Sequence, residues 1–250
     1  MIVNLYRAVI PRWLRDRIYK YRNLRYYQSL RTAIVPTHKG ELSIAAFDKY
    51  HCIFVHIPKT AGVSVAMSMF GQMPDHHKAL TYKNIIYGSK TYREYFKFAF
   101  VRNPWSRIYS AYCYLMNGGW GEYEAKWRDE NLSDVKNFED FVMRWLTTQR
   151  LHSIIHFHPQ CEFICDSRGG VIIDYIGYFE TLSEDFNVIC SRIGINSTLK
   201  KENITKNKEN NYRQAYSMEM KEKVRTLYRD DIELLGYDFE GVTNRWAGGQ

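Results

Sequence analysis

The chain has 250 residues, of which 45% are apolar and 25% are charged, so it can bury one sizeable core without support from disulfide bonds. Its five cysteines are an odd number without a disulfide-like spacing, which favours a reducing compartment. The apolar runs are too short for a membrane span, which needs roughly 20 residues, and early arginines argue against an export signal.

The net charge of +8 is concentrated at the start of the chain. Residues 1–40 hold nine Lys or Arg and one acid, and the remainder is neutral. This pattern predicts a basic, partly helical leader that meets an anionic membrane surface or an acidic partner, and not nucleic acid. A solvated arm packed on the domain explains it equally well. Pro11 interrupts a rough apolar stripe, which consists of Leu5, Val9, Trp13, Ile18 and Tyr21.

The first buried strand is predicted at residues 52–57, because CIFVHI is short, apolar and β-branched. Residues 58–62 form a turn, and residues 63–70 continue as a helix. A short helix is expected near residues 82–87. A second buried strand, FKFAFV, is predicted at residues 96–101.

The helix after this strand is predicted to run from Pro104 to about Met116, with Asn103 as its N-cap. Its 3–4 spacing predicts an apolar face that consists of Trp105, Ile108, Tyr109, Tyr112 and Met116. The opposite side, which is expected to lie outside the core, carries Ser106, Arg107 and Ser110.

The second half of the chain alternates helices with one more strand. A loop is predicted at 120–135, helices at 138–146, 182–193 and 218–235, a strand at 171–178 and a surface loop at 196–214. Thr181 and Glu184 predict a capping box. The alternation predicts an α/β fold, in which one P-loop-like domain (residues 41–250) has a central, mainly parallel sheet flanked by helices, preceded by the leader (1–40).

Two loops at the ends of the predicted strands are candidate anion sites. Backbone N–H groups of residues 60–64 open a helix, the hydroxyls of Thr60 and Ser64 add donors, and Lys59 adds a charge. Gly62 is expected to allow a positive φ or close approach of a ligand. Arg102 and Ser110 can bind a second anion. Together the loops predict a ligand with two separated anionic groups.

These two stretches, FVHIPKTAGVSV and FAFVRNPWSRIYSAY, resemble the nucleotide-binding motifs of sulfotransferases that use 3′-phosphoadenosine 5′-phosphosulfate (PAPS). The similarity is greatest to carbohydrate sulfotransferases of the Golgi and their bacterial relatives, and it covers roughly residues 52–237. It implies that PAPS is the sulfate donor. It assigns the 3′-phosphate to Arg102 and Ser110, and the 5′-phosphosulfate to Lys59, Thr60, Ala61, Gly62, Val63 and Ser64. Val63 departs from the family, which usually has Thr there.

The resemblance also implies roles in catalysis and acceptor binding. Lys59 is expected to neutralise the leaving phosphate oxygen, and His77, in preference to His76, to act as the base. The acceptor is expected to be a glycan whose hydroxyl receives the sulfuryl group. Candidate acceptor-binding residues are His156, His158, Gln160 and Glu180.

No metal is expected, because no acid follows either strand to hold Mg²⁺. A zinc site built from His152, His156, His158, Cys161 and Cys165 is a weaker alternative. Competing interpretations are an atypical P-loop kinase and a non-catalytic nucleotide-binding protein docked on a membrane. The sequence favours a cytoplasmic or membrane-peripheral bacterial enzyme over a Golgi enzyme.

Overall fold

The computed structural model describes residues 11–37, 40–200 and 212–248. The described strands are β1 Val35–Thr37, β2 Gly40–Leu42, β3 Cys52–Val55, β4 Phe96–Val101 and β5 Tyr175–Tyr178. The described α-helices are α1 Arg12–Ser29, α2 Ala45–Tyr50, α3 Gly62–Phe70, α4 Ala79–Thr81, α5 Gly88–Glu94, α6 Pro104–Met116, α7 Glu122–Asn131, α8 Phe138–Asp140, α9 Cys161–Ile164, α10 Leu182–Ile193, α11 Met218–Leu227 and α12 Arg229–Leu235. Two π-helical segments continue α4 and α8, at Tyr82–Ile86 and Phe141–Trp145.

The core of the fold is a parallel sheet of three strands in the order β3-β4-β5. Val55 pairs with Ala99, and Val101 pairs with Tyr178, so all three strands point the same way. β3 is buried along its whole length, and β4 is buried except for its first residue. Such burial on both faces is what an apolar strand in a parallel sheet requires. The prediction of a mixed α/β fold with a parallel sheet flanked by helices is confirmed.

Two predicted strands are longer than the observed ones. β3 ends at Val55 because His56 turns out of the ladder, and its imidazole Nδ1 lies 2.9 Å from the carbonyl oxygen of Pro74. The third strand begins only at Tyr175. Before it, Cys165 and Val171 form an antiparallel bridge that closes a tight turn, and the backbone of Asp174 makes the first hydrogen bond to β4, at the carbonyl of Lys97.

The predicted loop at 120–135 was wrong, because most of it forms α7. Glu122 and Glu124 lie in its first turn, where carboxylates interact favourably with the helix dipole. Trp127 anchors the helix, since its buried indole donates to the carbonyl of Ser153. The helix was not recognised in the sequence because its buried face is narrow and the other positions carry aromatic and charged residues.

The helix α6 has its predicted cap but a different buried face. The Asn103 side chain accepts from the backbone N–H groups of Trp105 and Ser106. The buried apolar residues are Trp105, Ile108, Ala111 and Leu115. Arg107 and Ser106 are buried too, which corrects the prediction that they lie outside the core. The cause is that neighbouring segments cover this side of the helix as well: Arg107 donates to the carbonyls of Pro58 and His158, and Ser106 accepts from the Arg102 guanidinium.

Two further helix predictions need correction. Thr181 forms no capping box; its hydroxyl donates to Asp185, which also accepts from the Tyr178 N–H. The last predicted helix is two helices, α11 and α12, separated at Tyr228. Much of the predicted surface loop at 196–214 lies outside the described residues.

The leader is helical from Arg12 onward, immediately after Pro11. Near its end Tyr27 is buried, and its ring lies 5.8 Å from that of His77. Tyr21 is 84% exposed, so it does not belong to the packed face. The predicted stripe residues Leu5 and Val9 lie outside the described residues. None of the helices in the described part of the chain is long and apolar enough to cross a membrane.

Candidate active site

The loop between β3 and α3 has an unusual backbone. Lys59 and Ala61 adopt positive φ values of 70° and 66°, a left-handed conformation that is rare for residues with a side chain. The buried hydroxyl of Thr60 donates to the carbonyl of Ile57 over 2.9 Å and holds the turn. Backbone strain of this kind is concentrated at functional sites. The loop leads directly into the N-terminus of α3, whose first N–H groups have no carbonyl partner one turn earlier in the helix.

Gly62 does not have the positive φ that was one of its two predicted roles, and the structure shows a further reason for a glycine here. A Cβ at this position would lie 2.0 Å from Cδ2 of His56. The imidazole of His56 is buried against the glycine. The glycine therefore makes room for a histidine beneath the loop.

The second predicted loop lies beside the first. Because β3 and β4 are parallel neighbours, Arg102 emerges at the same edge of the sheet as Lys59. The Arg102 guanidinium donates from Nη1 to the Lys59 carbonyl over 3.4 Å and from Nε to Ser106 over 2.9 Å. It also lies 4.1 Å from the ring centroid of Phe179. The structure thus brings the two predicted anion loops into direct contact.

Two predicted acceptor residues instead support the end of β4. Gln160 is fully buried, and its amide both accepts from the N–H of Arg102 and donates to the carbonyl of Arg102. This double contact leaves Gln160 no face for a sugar, contrary to its predicted role. Glu180 accepts from the N–H of Asn103 and from the hydroxyl of Tyr237. It holds the start of α6 in place.

Arg107 is a central residue that the sequence prediction missed. Its guanidinium is completely buried and donates to the carbonyls of Pro58 and His158. Its Nη1 has no hydrogen-bond partner among the described residues. Burial lowers the pKa of Arg107, and the fully buried Asp231 opposes this effect. One buried cation therefore fixes the loop between β3 and α3 relative to residues 156–160, the HFHPQ segment.

Lys59 lies in a crowded, electropositive part of this site. Its side chain is half-buried, and its Nζ lies 3.9 Å from the ring centroid of Tyr114. Burial, followed by the positive charge of Arg102, lowers the pKa of Lys59 to about 7. An anion bound here would relieve that repulsion, because opposite charges favour the ionised amine.

The two predicted base candidates occupy different environments. The Nδ1 of His76 donates to the His56 carbonyl over 2.8 Å, and its ring lies 4.1 Å from that of His56. A carbonyl can only accept, so Nδ1 carries the proton and Nε2 keeps the lone pair. His77 instead packs edge-on against the rings of Tyr27 and Tyr82. Burial lowers the pKa of His76 to about 4.

His156 lies close to Lys59 and Tyr114. It is buried, and its ring lies 4.9 Å from that of Tyr114. Its Nε2 is 3.9 Å from the Glu124 carboxylate, which the histidine holds at a lowered pKa. Burial lowers the pKa of His156, and Lys59 adds to the effect. Glu124 belongs to the helix that the sequence did not predict.

His158 and its neighbours form a separate cluster. Ligand atoms of His152, His158 and Glu162 lie within 4.8 Å of one another. The Glu162 carboxylate already contacts His152 and the ammonium of Lys78, each over 2.6 Å. The cluster differs from the alternative zinc site, since Cys161 and Cys165 are not part of it.

The remaining predicted nucleotide-binding residues lie on the two helices that follow the loops. Ser64 is buried and Val63 half-buried in the first turn of α3. Ser110 is half-buried on α6, one turn after Ser106. Ser106, which contacts Arg102 directly, was missed as a site residue. Its spacing of four residues from Arg102 was the available signal.

Comparisons with known proteins identify the family of the chain. Residues 43–238 match the model of the sulfotransferase family, so the chain belongs to this family. An uncharacterized protein of Archaeoglobus fulgidus is 30% identical over 109 residues, which are 43% of this chain and 75% of that protein. No solved structure matches the chain.

Proposed function

We propose that this sulfotransferase moves the sulfuryl group of PAPS to a hydroxyl of a carbohydrate acceptor. The observation that carries the proposal is the contact between the guanidinium of Arg102 and the Lys59 carbonyl, which joins the two anion loops. A donor with a 5′-phosphosulfate and a 3′-phosphate would place one anionic group in each loop. Membership of the family supports sulfuryl transfer as the reaction.

The chain's own residues fit such a donor. Backbone N–H groups at the start of α3 would bind the 5′ group together with Lys59, and Arg102 and Ser110 would bind the 3′-phosphate. Lys59, Arg102 and Arg107 bring three cationic groups together, and their repulsion is visible in the lowered pKa of Lys59. The Nη1 of Arg107, which has no hydrogen-bond partner among the described residues, is a further buried donor on a guanidinium that contacts the loop at Pro58. A bound polyanion would compensate all three charges.

In the proposed reaction, an acceptor hydroxyl oxygen forms a bond to sulfur while the bridging S–O bond to the 5′-phosphate breaks. The electron pair of that bond stays on the phosphate oxygen, where Lys59 neutralises the charge. The proton of the acceptor hydroxyl passes to a base. We place His76 in this role ahead of His77, because its Nε2 keeps the lone pair and its ring lies beside the loop.

The acceptor is proposed to be a glycan that approaches past His156 and His158. Residues 152–158 flank this approach and are tied to two helices, because Trp127 of α7 donates to the carbonyl of Ser153 and Arg107 of α6 donates to the carbonyl of His158. We propose transfer without a metal ion. Activity that disappears in chelator and returns with Mg²⁺ would contradict that part.

Sulfuryl transfer is tested by incubating the purified protein with ³⁵S-labelled PAPS and a panel of polysaccharides, oligosaccharides and glycolipids. Wild-type protein should label at least one acceptor, and Lys59→Ala should reduce labelling by at least a hundredfold. Lys90→Ala is the matched control, because Lys90 is exposed on α5. Binding of PAPS without label transfer to any hydroxyl would favour a non-catalytic nucleotide-binding protein.

A further inference from the structure

Tyr114 has an unusual position relative to Lys59. It lies near the end of α6, far along the chain from the nucleotide loop, yet its ring centroid is 3.9 Å from the Lys59 ammonium. An ammonium over the face of an aromatic ring is attracted by the ring quadrupole, and more strongly where water is excluded. Half-buried Lys59 meets that condition.

Several elements hold the Tyr114 ring in this orientation. Its hydroxyl is hydrogen-bonded to the Glu124 carboxylate and to the backbone of Trp120. His156 packs against the ring at an interplanar angle of 64°. Gly119 allows Glu124 to lie this close to the ring. Its φ is 68°, and a Cβ at this position would lie 2.3 Å from the Cβ of Glu124. The ring is therefore fixed from α7, from the turn before α7 and from the HFHPQ segment.

The other groups that face the Lys59 amine do not provide a comparable site for its charge. Arg102 and Arg107 repel the ammonium, His156 is a competing cation when protonated, and Cys113 favours the charged form. In this environment the Tyr114 ring is the neutral surface against which the ammonium rests. The side chain of Lys59 has four rotatable bonds, so holding its amine at one place removes considerable conformational freedom.

We propose that Tyr114 is a positioning residue for sulfuryl transfer, and that its ring holds the Lys59 ammonium charged and localised beside the nucleotide loop. The expected effect on turnover rests on the proposed function, whereas the expected effect on the charge of Lys59 does not. The ring stabilises the charged amine, so its loss should lower the pKa of Lys59. It should also reduce turnover, because misplacement of a charge-stabilising group by about 1 Å can cost roughly a hundredfold in rate.

The test compares Tyr114→Leu, which removes the ring but keeps an apolar wall, with Tyr114→Phe, which keeps the ring. The first readout needs no turnover: acetylation of Lys59 by acetic anhydride is followed against pH by peptide mass spectrometry. Wild type and Tyr114→Phe should share a midpoint near pH 7. Tyr114→Leu should shift the midpoint down by about one pH unit. An unchanged or higher midpoint would overturn the proposal.

The second readout is kinetic. Tyr114→Leu should lower kcat by at least tenfold while the Kd for adenosine 3′,5′-bisphosphate changes less than threefold, and Tyr114→Phe should stay within threefold of wild type. Tyr123→Leu is the control, because Tyr123 is 70% exposed. Equal kcat values for Tyr114→Leu and wild type would remove the positioning role. A wild-type protein that transfers no sulfate would instead contradict the proposed function. The acetylation result would then still show whether the Tyr114 ring stabilises the charged form of Lys59.

Discussion

Arg107 and Pro58 are joined by a hydrogen bond of 3.0 Å, in which a completely buried guanidinium donates to the carbonyl that precedes Lys59. The same guanidinium donates to the carbonyl of His158 over 2.9 Å. The loop between β3 and α3 and the segment that contains His158 therefore share one anchor. This link makes the stability of the fold and the geometry of the site depend on the same residue.

Replacement of Arg107 by Met should lower the free energy of unfolding by about 3 kcal/mol, because two hydrogen bonds to a charged donor are lost and two carbonyls remain buried. The free energy of unfolding of Arg107→Lys should lie between those of wild type and Arg107→Met, since an ammonium cannot reproduce the planar fork of the guanidinium. Urea denaturation measures both. The control is Arg229→Met, whose side chain is 71% exposed and should change stability little. Equal stabilities of Arg107→Met and wild type would show that the anchor is dispensable.

Gly62→Ala should be destabilising, because the new Cβ would lie 2.0 Å from the imidazole of His56. Overpacking of this kind costs about 1–3 kcal/mol. In the double variant with His56→Ala, the effect of Gly62→Ala should largely disappear, since the clash has been removed. Gly241→Ala is a suitable control, because a Cβ there meets nothing within 4 Å. Thermal unfolding of wild type, the two single variants and the double variant measures this cycle. Strictly additive effects of the two substitutions on stability would contradict the steric explanation.

The two adjacent histidines should differ in their effect on transfer. His76→Asn removes the proposed base and should lower kcat by about a hundredfold or more. His77→Phe preserves an aromatic ring between Tyr27 and Tyr82 and should stay within threefold of wild type. Single-turnover kinetics with labelled PAPS separate this step from product release. The reverse order of effects would return the role to His77, as the sequence predicted.

Binding of adenosine 3′,5′-bisphosphate should weaken as the pH rises above about 7. The pKa of Lys59 is lowered to about 7 in the free protein, so the amine loses its charge above that pH. The bound anion favours the charged amine, so binding takes up a proton there, and the Kd should rise about tenfold per pH unit. Calorimetry in buffers of different ionisation enthalpy measures the uptake. Lys59→Met should abolish this part of the pH dependence, and a dependence that persists in this variant would assign it to another group.

The exposed face of α1 should bind anionic membranes if the leader is a membrane-docking segment. Tyr21, Arg22, Arg25 and Tyr26 are exposed and share one side of the helix by their spacing. The full chain should therefore sediment with phosphatidylglycerol vesicles more than with phosphatidylcholine vesicles, and less so at high salt. Replacement of Arg22 and Arg25 by Gln should reduce this binding. Equal sedimentation with both kinds of vesicle would favour the solvated arm.

Much of the fold was predictable because its signals are local. The strands β3 and β4 and the helices after them follow from short apolar runs and from capping residues such as Asn103, which act within a few residues of sequence. The helix α7 was missed because its apolar side is narrow and Trp127 meets Ser153 only in the folded chain. The capping box at Thr181 failed because Asp185 offered the hydroxyl a closer partner.

The sequence by itself determined that two candidate anion loops, one with Lys59 and one with Arg102, follow buried strands of a mainly parallel sheet, and the tertiary structure decided that these strands are neighbours. Strand, turn and helix signals suffice to predict the loops, because each loop is continuous in the chain. Only the tertiary structure decided what surrounds them: Arg107 beneath the loop, His56 against Gly62, and Tyr114 over the Lys59 amine. The contacts of Arg107 and Tyr114 join residues dozens of positions apart, and His56 meets Gly62, which is close in sequence, only through the folded turn between them. Long-range packing of buried polar groups leaves no periodic trace in the sequence.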